Sequence, residues 1–454
     1  MSRSRTSKKP SATPARERIS IEQALKLALA AHQGGNPRLA SEHYGAILQA
    51  APDHPDALHY LALASWQLGK REIALRQLER VLELVPDHID ARNNLGNMQK
   101  EAGKAADAEH SYRAVIAARP EFAMAHNNLG VVLKAQGRPA EAVAAYEQAV
   151  ALAPELVQAW VNLGNARKSA GQDHDSLSAY RNAIMLEPHN TDAHRNLGRA
   201  LVAYGRHTEA IEVYRQWQSV APDDPVVAHL LAACAGEQAP GRASDQFVQQ
   251  TFDRFAASFD QVLDRLEYRA PALCGELIAA LAPVPDSLDI LDAGCGTGLC
   301  APYLRPFGRT LHGVDLSPRM LAKARERGGY DALHEAELTA WLAAHPDQFD
   351  LIVSADTLCY FGALEAALAA AAAALRPGGH LVFTVEDSGA DTAPFTLHPH
   401  GRYSHGESYL RATLAAAGMA VTTLEHVILR NESKRPVGGL LLLATKPAAA
   451  SPEQ

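Results

Sequence analysis

The sequence has few cysteines, no long apolar run and no excess of positive charge. Its five cysteines are few for 454 residues and odd in number, which favours a reduced cytoplasmic protein over a disulfide framework. The longest apolar run, residues 366–375, is mostly alanine and too short to cross a membrane. The formal net charge of −8 argues against a broadly basic nucleic-acid-binding surface. We therefore expect a cytoplasmic protein with neither a membrane nor a nucleic acid as its partner.

The two ends of the chain differ in composition from the rest. Residues 1–18 are rich in Ser, Lys and Arg and lack the apolar segment of a signal peptide. We expect them to form a disordered basic tail, and residues 448–454 to form a second tail. The length between these tails is enough for two or three domains.

The first half of the chain repeats with a period of 34 residues. Glycines follow this period at Gly35, Gly69, Gly103, Gly137, Gly171 and Gly205. Prolines follow it at Pro52, Pro86, Pro120, Pro154, Pro188 and Pro222. Tyrosines follow it at Tyr112, Tyr146, Tyr180 and Tyr214, and Asn-Leu-Gly triplets follow it at 94–96, 128–130, 162–164 and 196–198. A period of this length with these residues is typical of a helix–turn–helix repeat.

Each residue type has a physical role in such a hairpin. The glycine ends the first helix in a left-handed turn, and the proline stops the second helix. The pattern closely resembles the tetratricopeptide family. The resemblance implies an all-α superhelix over residues 19–236, with six helix pairs between about residues 20 and 222 and a capping helix over 224–236.

Four asparagines share one register on the first helices. They are Asn94, Asn128, Asn162 and Asn196. In related arrays such a ladder binds the backbone of an extended peptide, because an amide side chain both donates and accepts. The alternative is that these side chains satisfy backbone groups of the neighbouring repeat. Tyr60 holds the preceding register, so the ladder ends there. We predict a protein or peptide partner.

The second half, residues 245–447, follows a predicted linker at 237–244. Apolar segments predict strands at 288–292, 310–315, 351–355 and 379–386. Helical patterns predict helices at 245–262, 268–282, 319–327 and 363–375. This alternation predicts a parallel sheet with helices on both faces, a Rossmann-like α/β domain.

A glycine loop follows the first of these strands. Gly294, Gly296 and Gly298 let the backbone approach a ligand, and Asp315 at the end of the next strand can accept both hydroxyls of a ribose. Dinucleotide enzymes place their third glycine where this chain has Leu299. Asp292 would repel a pyrophosphate but can bind an ammonium group. The pattern favours S-adenosylmethionine over a nicotinamide dinucleotide.

Residues 292–298 resemble the first motif of class I S-adenosylmethionine-dependent methyltransferases, and residues 314–317 resemble their ribose site. The resemblance continues through 349–356 and 375–379, and it implies a seven-stranded domain. The implied cofactor-binding residues are Asp292, Gly294, Cys295, Gly296, Gly298, Asp315, Leu316, Met320, Glu337, Leu338 and Asp356. Met320 would pack on the adenine, whose amine Glu337 would bind. A closer resemblance, carried by residues 252–260, 401–405 and 429–432, is to bacterial methyltransferase-like proteins with tetratricopeptide repeats.

The acceptor site should come from the loops after the fourth and fifth strands. The candidates there are Tyr360, Arg402, Tyr403, His405, Tyr409 and Arg430. We predict His405, Tyr403 and Tyr360 as catalytic, since a histidine suits general-base work, with structural roles as the alternative. We expect no metal, because neither carboxylate nor thiolate completes the nearby histidines. The predicted function is methyl transfer to an unidentified acceptor, and the alternative is a scaffold with an inactive cofactor domain.

Overall fold

The computed structural model describes residues 19–236, 239–389, 393–432 and 435–448. The chain forms two compact units, residues 1–188 and 189–454. The predicted tail at 1–18, most of the tail at 448–454 and two residues of the predicted linker lie outside the described residues. No described helix has the length and apolarity needed to span a membrane.

Five helical hairpins make up the first unit. Their helices are α1 (Ile21–Gln33) with α2 (Pro37–Ala50), α3 (Pro55–Gln67) with α4 (Arg71–Leu84), α5 (Ile89–Glu101) with α6 (Ala105–Ala118), α7 (Ala123–Ala135) with α8 (Pro139–Leu152), and α9 (Val157–Ser169) with α10 (Asp173–Leu186). The repeated glycine of each hairpin follows its first helix, as at Gly103, with φ of +75°. These hairpins confirm the helix–turn–helix reading of the 34-residue period.

The glycine of each Asn-Leu-Gly triplet and the repeated tyrosine of the second helix set how closely the two helices of a hairpin approach. A Cβ atom on Gly164 would lie 2.5 Å from the Tyr180 ring, and one on Gly96 would lie 2.9 Å from the Tyr112 ring. Both tyrosines are fully buried. The tyrosine of the second helix therefore fills the space that the glycine of the first helix leaves.

The second unit begins with the sixth hairpin. It consists of α11 (Thr191–Ala203) and α12 (His207–Val220), followed by α13 (Pro225–Ala235). The buried His229 of α13 donates from Nε2 to the Gly401 carbonyl at 2.9 Å, and its ring centroid lies 4.0 Å from that of Phe247. Cys234 donates from Sγ to the Pro399 carbonyl at 3.7 Å. The sixth hairpin and α13 thus pack into the same unit as the sheet domain.

The sheet has nine strands within the described residues. They are β1 (Leu288–Ala293), β2 (Gly308–Asp315), β3 (Ala332–Glu335), β4 (Phe349–Ser354), β5 (Leu375–Asp387), β6 (Phe395–Leu397), β7 (Tyr403–His405), β8 (Ala420–Glu432) and β9 (Arg435–Thr445). The parallel order β3-β2-β1-β4-β5 continues through β9 and β8, which are antiparallel. These seven strands match the predicted fold, and the short hairpin β6–β7 is an addition that pairs with the end of β5.

Helices precede the sheet and cover both of its faces. They are α14 (Asp245–Phe255), α15 (Phe259–Arg265), α16 (Ala270–Ala280), α17 (Ala301–Leu304), α18 (Pro318–Arg327), α19 (Leu338–Ala343), α20 (Glu365–Ala374) and α21 (Glu407–Ala416). Alternate residues of the central strands face opposite sides, so Ile290 packs in one apolar cluster and Leu291 in another. The single helix predicted over 245–262 is two helices, and the break brings Phe255 and Phe259 into edge-to-face contact at 5.3 Å.

Candidate active site

A cavity of about 420 Å³ opens where the parallel strands end. Its wall includes the loop after β1, the end of β2, the segment before α19 and the loop after β4. Helices α14 and α15 add the aromatic side chains of Phe252, Phe255 and Phe259. The carboxyl edge of an open parallel sheet is the usual place for a ligand in this class of fold. The cavity is therefore the candidate active site.

The glycine loop faces the cavity through Gly294 and Gly296. The Gly296 amide donates to Asp315 Oδ2 at 2.9 Å, which ties the loop to the end of β2. A Cβ atom on Gly296 would meet no atom closer than the Phe259 ring at 4.0 Å, whereas one on Gly294 would lie 2.2 Å from Thr357 Oγ1. Gly294 thus lets the loop after β1 approach the loop after β4, and Gly296 leaves open space at the cavity.

Asp315 is the best-placed carboxylate for a ribose. Besides the bond from Gly296, its Oδ1 accepts from the Ser317 amide at 2.8 Å, so backbone groups fix both oxygens. Each carboxylate oxygen has a further lone pair, and Asp315 lines the cavity. Burial raises the pKa of Asp315. Of the predicted cofactor residues, the cavity wall brings together Gly294, Gly296, Asp315 and Leu316.

Asp292 lies behind the loop instead of in the cavity wall. It is 1% exposed, and Tyr330 donates to its Oδ2 at 2.6 Å. Burial raises the pKa of Asp292 to about 7; the nearby Asp315 adds to the rise, and the Tyr330 hydroxyl opposes it. Sequence reasoning missed Tyr330, which follows α18 without a motif. Three other predicted cofactor residues, Cys295, Gly298 and Met320, also lie outside the wall.

The predicted adenine segment does line the cavity, through Glu337 and Leu338. Glu337 caps α19, because its carboxylate accepts from the Thr339 and Ala340 amides at 3.0 and 2.7 Å. Arg242 also donates to Glu337, at 2.7 Å. Burial opposes ionisation, but these bonds and the arginine hold the pKa of Glu337 below its usual value. Glu337 is thus an ionised helix cap at the edge of the cavity.

A buried ion network forms the opposite side. Arg430, with its side chain 2% exposed, donates to Asp356 Oδ2 at 2.8 Å, to Glu432 at 2.7 Å and also to Glu386. Arg402 donates to Glu386 at 2.6 Å and to Glu432 at 2.5 Å. Asp356 Oδ1 is buried and has no hydrogen-bond partner among the described residues. Burial raises the pKa of Asp356, against the opposing charge of Arg430. Glu386, at the end of β5, was missed.

The three predicted catalytic residues separate in the structure. Tyr360 lines the cavity, and His405 and Tyr403 do not. His405 is fully buried, donates from Nε2 to the Gly362 carbonyl at 3.1 Å, and has its pKa lowered to about 4 by burial. The Tyr403 hydroxyl donates to the Pro240 carbonyl at 2.7 Å. Of the three, Tyr360 alone is in the cavity wall, and a catalytic role for any of them stays a prediction.

The asparagine register of the first unit contacts neighbouring hairpins. In each case an amide nitrogen lies near a side chain of the preceding hairpin: Asn94 Nδ2 near His59 Nε2 at 2.9 Å, Asn128 Nδ2 near Asn97 Oδ1 at 3.1 Å, and Asn162 Nδ2 near Asn127 Oδ1 at 2.9 Å. Asn196 belongs to the second unit. The alternative was that these asparagines satisfy backbone groups of the neighbouring repeat, whereas the contacts observed here join side chains. Peptide binding by this register stays a prediction.

Comparison with known proteins assigns both halves. A family described as a tetratricopeptide repeat matches residues 25–70, 61–99, 99–157 and, through a second such family, 169–234. A family described as a methyltransferase domain matches residues 265–424. The array and the sheet domain therefore each match a family in the predicted order.

Individual relatives match shorter stretches. A malonyl-[acyl-carrier protein] O-methyltransferase from Pectobacterium atrosepticum is 32% identical over 145 residues, which cover 32% of this chain and 55% of that protein. Human methyltransferase-like protein 27 is 49% identical over 84 residues, 18% of this chain and 34% of that protein. The crystal structure of YrrB, titled a TPR protein with an unusual peptide-binding site, is 20% identical with a TM-score of 0.36, over 42% of this chain and 97% of that one. The family matches show that the chain contains tetratricopeptide repeats followed by a methyltransferase domain.

Proposed function

We propose that this chain is an S-adenosylmethionine-dependent methyltransferase whose cofactor binds between the glycine loop and the loop after β4. The observation that carries the proposal is the setting of Asp315. Two backbone amides fix its carboxylate at the cavity wall, beside Gly296, where no Cβ occupies the space. A carboxylate so held can accept both hydroxyls of a ribose.

The charges of the cavity fit this cofactor. S-adenosylmethionine carries an ammonium group and a sulfonium, and it supplies an activated methyl group when bound. Asp356 lines the cavity, and its Oδ1 has no partner among the described residues. A buried acceptor without a partner is unfavourable, so a cation there would satisfy it. Asp292 Oδ1 also has no partner among the described residues, but Asp292 is not in the cavity wall, so we assign the ammonium contact to Asp356.

The chain's own residues position the reactants and exclude water. Methyl transfer needs alignment of donor and acceptor above all. Phe252, Phe255 and Phe259 form an aromatic cluster over the cavity, with centroid distances of 5.3 to 6.1 Å to Phe259. The Tyr360 ring lies 5.3 Å from that of Phe252. This cluster would cover the cofactor, and Tyr360 would contact the acceptor.

For the array, we propose that the tetratricopeptide repeats recruit a protein or peptide. The shared asparagine register supports this proposal, because an amide side chain can bind a peptide backbone without reading its sequence. Binding would have to displace the contacts that Asn128 and Asn162 make with neighbouring hairpins. An array that only supports the enzyme is the competing possibility, and pull-down with Asn128→Ala and Asn162→Ala variants separates the two.

Calorimetry with S-adenosylhomocysteine tests the proposed cofactor. We expect micromolar binding by the wild-type chain, and Asp315→Ala should weaken it by about 1–3 kcal/mol through lost hydrogen bonds. Asp331→Ala is a matched control. Asp331 also accepts a backbone amide of β2, from Leu311 at 2.7 Å, but does not line the cavity. Absence of binding by the wild type, with or without binding of NADH in a parallel titration, would reject the proposal.

The acceptor requires a separate experiment. Incubating the chain with cofactor labelled in its methyl group and a lysate, followed by mass spectrometry of proteins and small molecules, identifies the product class. A labelled product that disappears with Asp315→Ala would support an active enzyme. S-adenosylhomocysteine binding without any labelled product would favour the scaffold with an inactive domain.

A further inference from the structure

The sixth hairpin forms part of the cavity wall. Arg195 and Arg199 of α11 and Leu230 of α13 line the cavity together with Tyr360 and Arg402 from the sheet domain. The tetratricopeptide array therefore supplies side chains to the candidate active site, on the side of Tyr360. A bound acceptor would contact residues of the sixth hairpin and α13 as well as residues of the sheet domain.

The arginines of the cavity differ in whether a carboxylate neutralises them. Six line the wall, and five of them have carboxylate partners. These pairs are Arg195 with Asp192, Arg254 with Asp192, Arg242 with Asp245 and Glu337, Arg402 with Glu386 and Glu432, and Arg430 with Asp356, Glu386 and Glu432. Within the part of the chain that the structure describes, Arg199 has neither an ion pair nor a hydrogen bond.

The surroundings of Arg199 disfavour its positive charge. Burial lowers its pKa, and the nearby charges of Arg195 and Arg402 lower it further. A guanidinium nevertheless stays protonated in proteins. Arg199 is exposed, and its side chain lines the cavity. Arg199 is thus a cation without a counterion in a concave site.

The residue at the register of Arg199 varies along the array, with Asn97, Val131 and Asn165 in the third, fourth and fifth hairpins. In the third hairpin, Asn97 at the same register accepts from the Tyr112 hydroxyl at 2.7 Å, and Asn165 accepts the equivalent bond in the fifth at 2.8 Å. Arginine has no acceptor atom. The Tyr214 hydroxyl of the sixth hairpin is correspondingly buried without a partner among the described residues. Arg199 therefore does not make the bond to the repeated tyrosine that Asn97 and Asn165 make, and its side chain lines the cavity instead.

We propose that Arg199 binds an oxyanion of the methyl acceptor, a carboxylate or a phosphate group. A guanidinium matches either group with two parallel hydrogen bonds. The position of Arg199 near Tyr360 and Arg402 places this anion on the acceptor side of the cavity. The acceptor then carries a carboxylate or a phosphate group. This inference rests on the proposed methyltransferase function for the methyl group, but the anion site itself does not depend on it.

Chemical modification tests the anion site directly on the full chain. Phenylglyoxal reacts with free guanidinium groups, and peptide mass spectrometry reads each arginine separately. We expect Arg199 to react faster than the paired Arg402. Malonate or inorganic phosphate should slow the reaction at Arg199 at least fivefold, and the neutral analogue malonamide should not. Protection by malonate alone indicates a carboxylate, and protection by phosphate alone indicates a phosphate ester. No protection by either anion would overturn the proposal.

A substitution drawn from the array itself provides the second test. Arg199→Asn restores the residue of the third and fifth hairpins and offers an acceptor to Tyr214. The variant should melt no lower than the wild type and bind S-adenosylhomocysteine with unchanged affinity. Arg215→Asn, at an exposed position of α12 outside the cavity wall, is the matched control.

Methyl transfer then tests whether Arg199 binds an anionic acceptor. A lysate extract is divided on an anion-exchange resin, and both fractions are incubated with labelled cofactor. Wild type and Arg215→Asn should methylate molecules in the retained, acidic fraction, and Arg199→Asn should lose at least tenfold in that transfer. A labelled product only in the unretained fraction, or full transfer by Arg199→Asn, would overturn the anion role. If the wild type fails to bind S-adenosylhomocysteine, the proposed function fails, and the phenylglyoxal result still decides the anion site.

Discussion

Replacing Arg430 with methionine should leave Asp356 as a buried carboxylate without a cation. The Arg430 side chain is 2% exposed and donates to Asp356 at 2.8 Å, to Glu432 at 2.7 Å and to Glu386. Arg402 still pairs with Glu386 and Glu432 in the variant, so Asp356 alone loses its partner. Removing one member of a buried ion pair costs about 3–5 kcal/mol. We expect the free energy of unfolding of the second unit to fall by that amount.

The loss should depend on pH in a defined direction. Burial already raises the pKa of Asp356 above its ordinary value, and Arg430 opposes that rise. Without Arg430 the pKa of Asp356 rises further, because the cost of burial falls on the ionised carboxylate. The folded variant therefore takes up a proton as pH falls, and the loss should be larger at about pH 8 than at about pH 5.

Urea denaturation followed by hydrogen–deuterium exchange of β5 and β8 peptides measures this loss. Arg411→Met is the control, since Arg411 pairs with Glu407 at 2.8 Å at the surface and should cost under about 1 kcal/mol. If Arg430→Met lost as little free energy of unfolding as Arg411→Met, or lost the same amount at both pH values, the reasoning would be refuted.

Three further predictions concern packing, ionisation and boundaries. Gly164→Ala places a Cβ 2.5 Å from the Tyr180 ring and should cost about 1–3 kcal/mol in urea denaturation; an unchanged midpoint would contradict the close approach. The pKa of Asp292 is about 7 in the folded chain and 3.8 ordinarily, so ionisation of Asp292 should lower wild-type stability as pH rises from 3.8 to about 7. Melting curves of Asp292→Asn should lack this decrease, and an equal decrease would exclude Asp292 as its cause. A fragment of residues 189–454 should stay folded and bind S-adenosylhomocysteine in calorimetry. A fragment of residues 245–454 should aggregate on size exclusion, because Phe247 loses its contact with His229 of α13. A monomeric fragment 245–454 that binds S-adenosylhomocysteine would contradict this prediction.

The array was predictable because its determinants are local. A glycine such as Gly103 needs only its own left-handed turn, and the pairing of Gly164 with Tyr180 lies within one hairpin. The glycine loop and Asp315 were predictable for a related reason. Adjacent parallel strands bring their carboxyl ends together, so consecutive motifs meet at one edge of the sheet.

The acceptor side was not predictable in the same way. Whether a polar residue of a loop faces a cavity depends on distant partners: the Pro240 carbonyl binds Tyr403, and the Gly362 carbonyl binds His405. Arg199 is the converse case. The sequence shows an arginine where the third and fifth hairpins have Asn97 and Asn165. Its place in the cavity, however, depends on the packing of the sixth hairpin and α13 within the second unit.

The most direct test of the central claim is a crystal structure of the full chain with S-adenosylhomocysteine. We expect both ribose hydroxyls within hydrogen-bonding distance of the Asp315 carboxylate, the backbone of Gly294–Gly296 against the ligand, and the amino group of the ligand at Asp356. A nucleoside bound away from Asp315, or a glycine loop covered by side chains of the protein, would contradict the account.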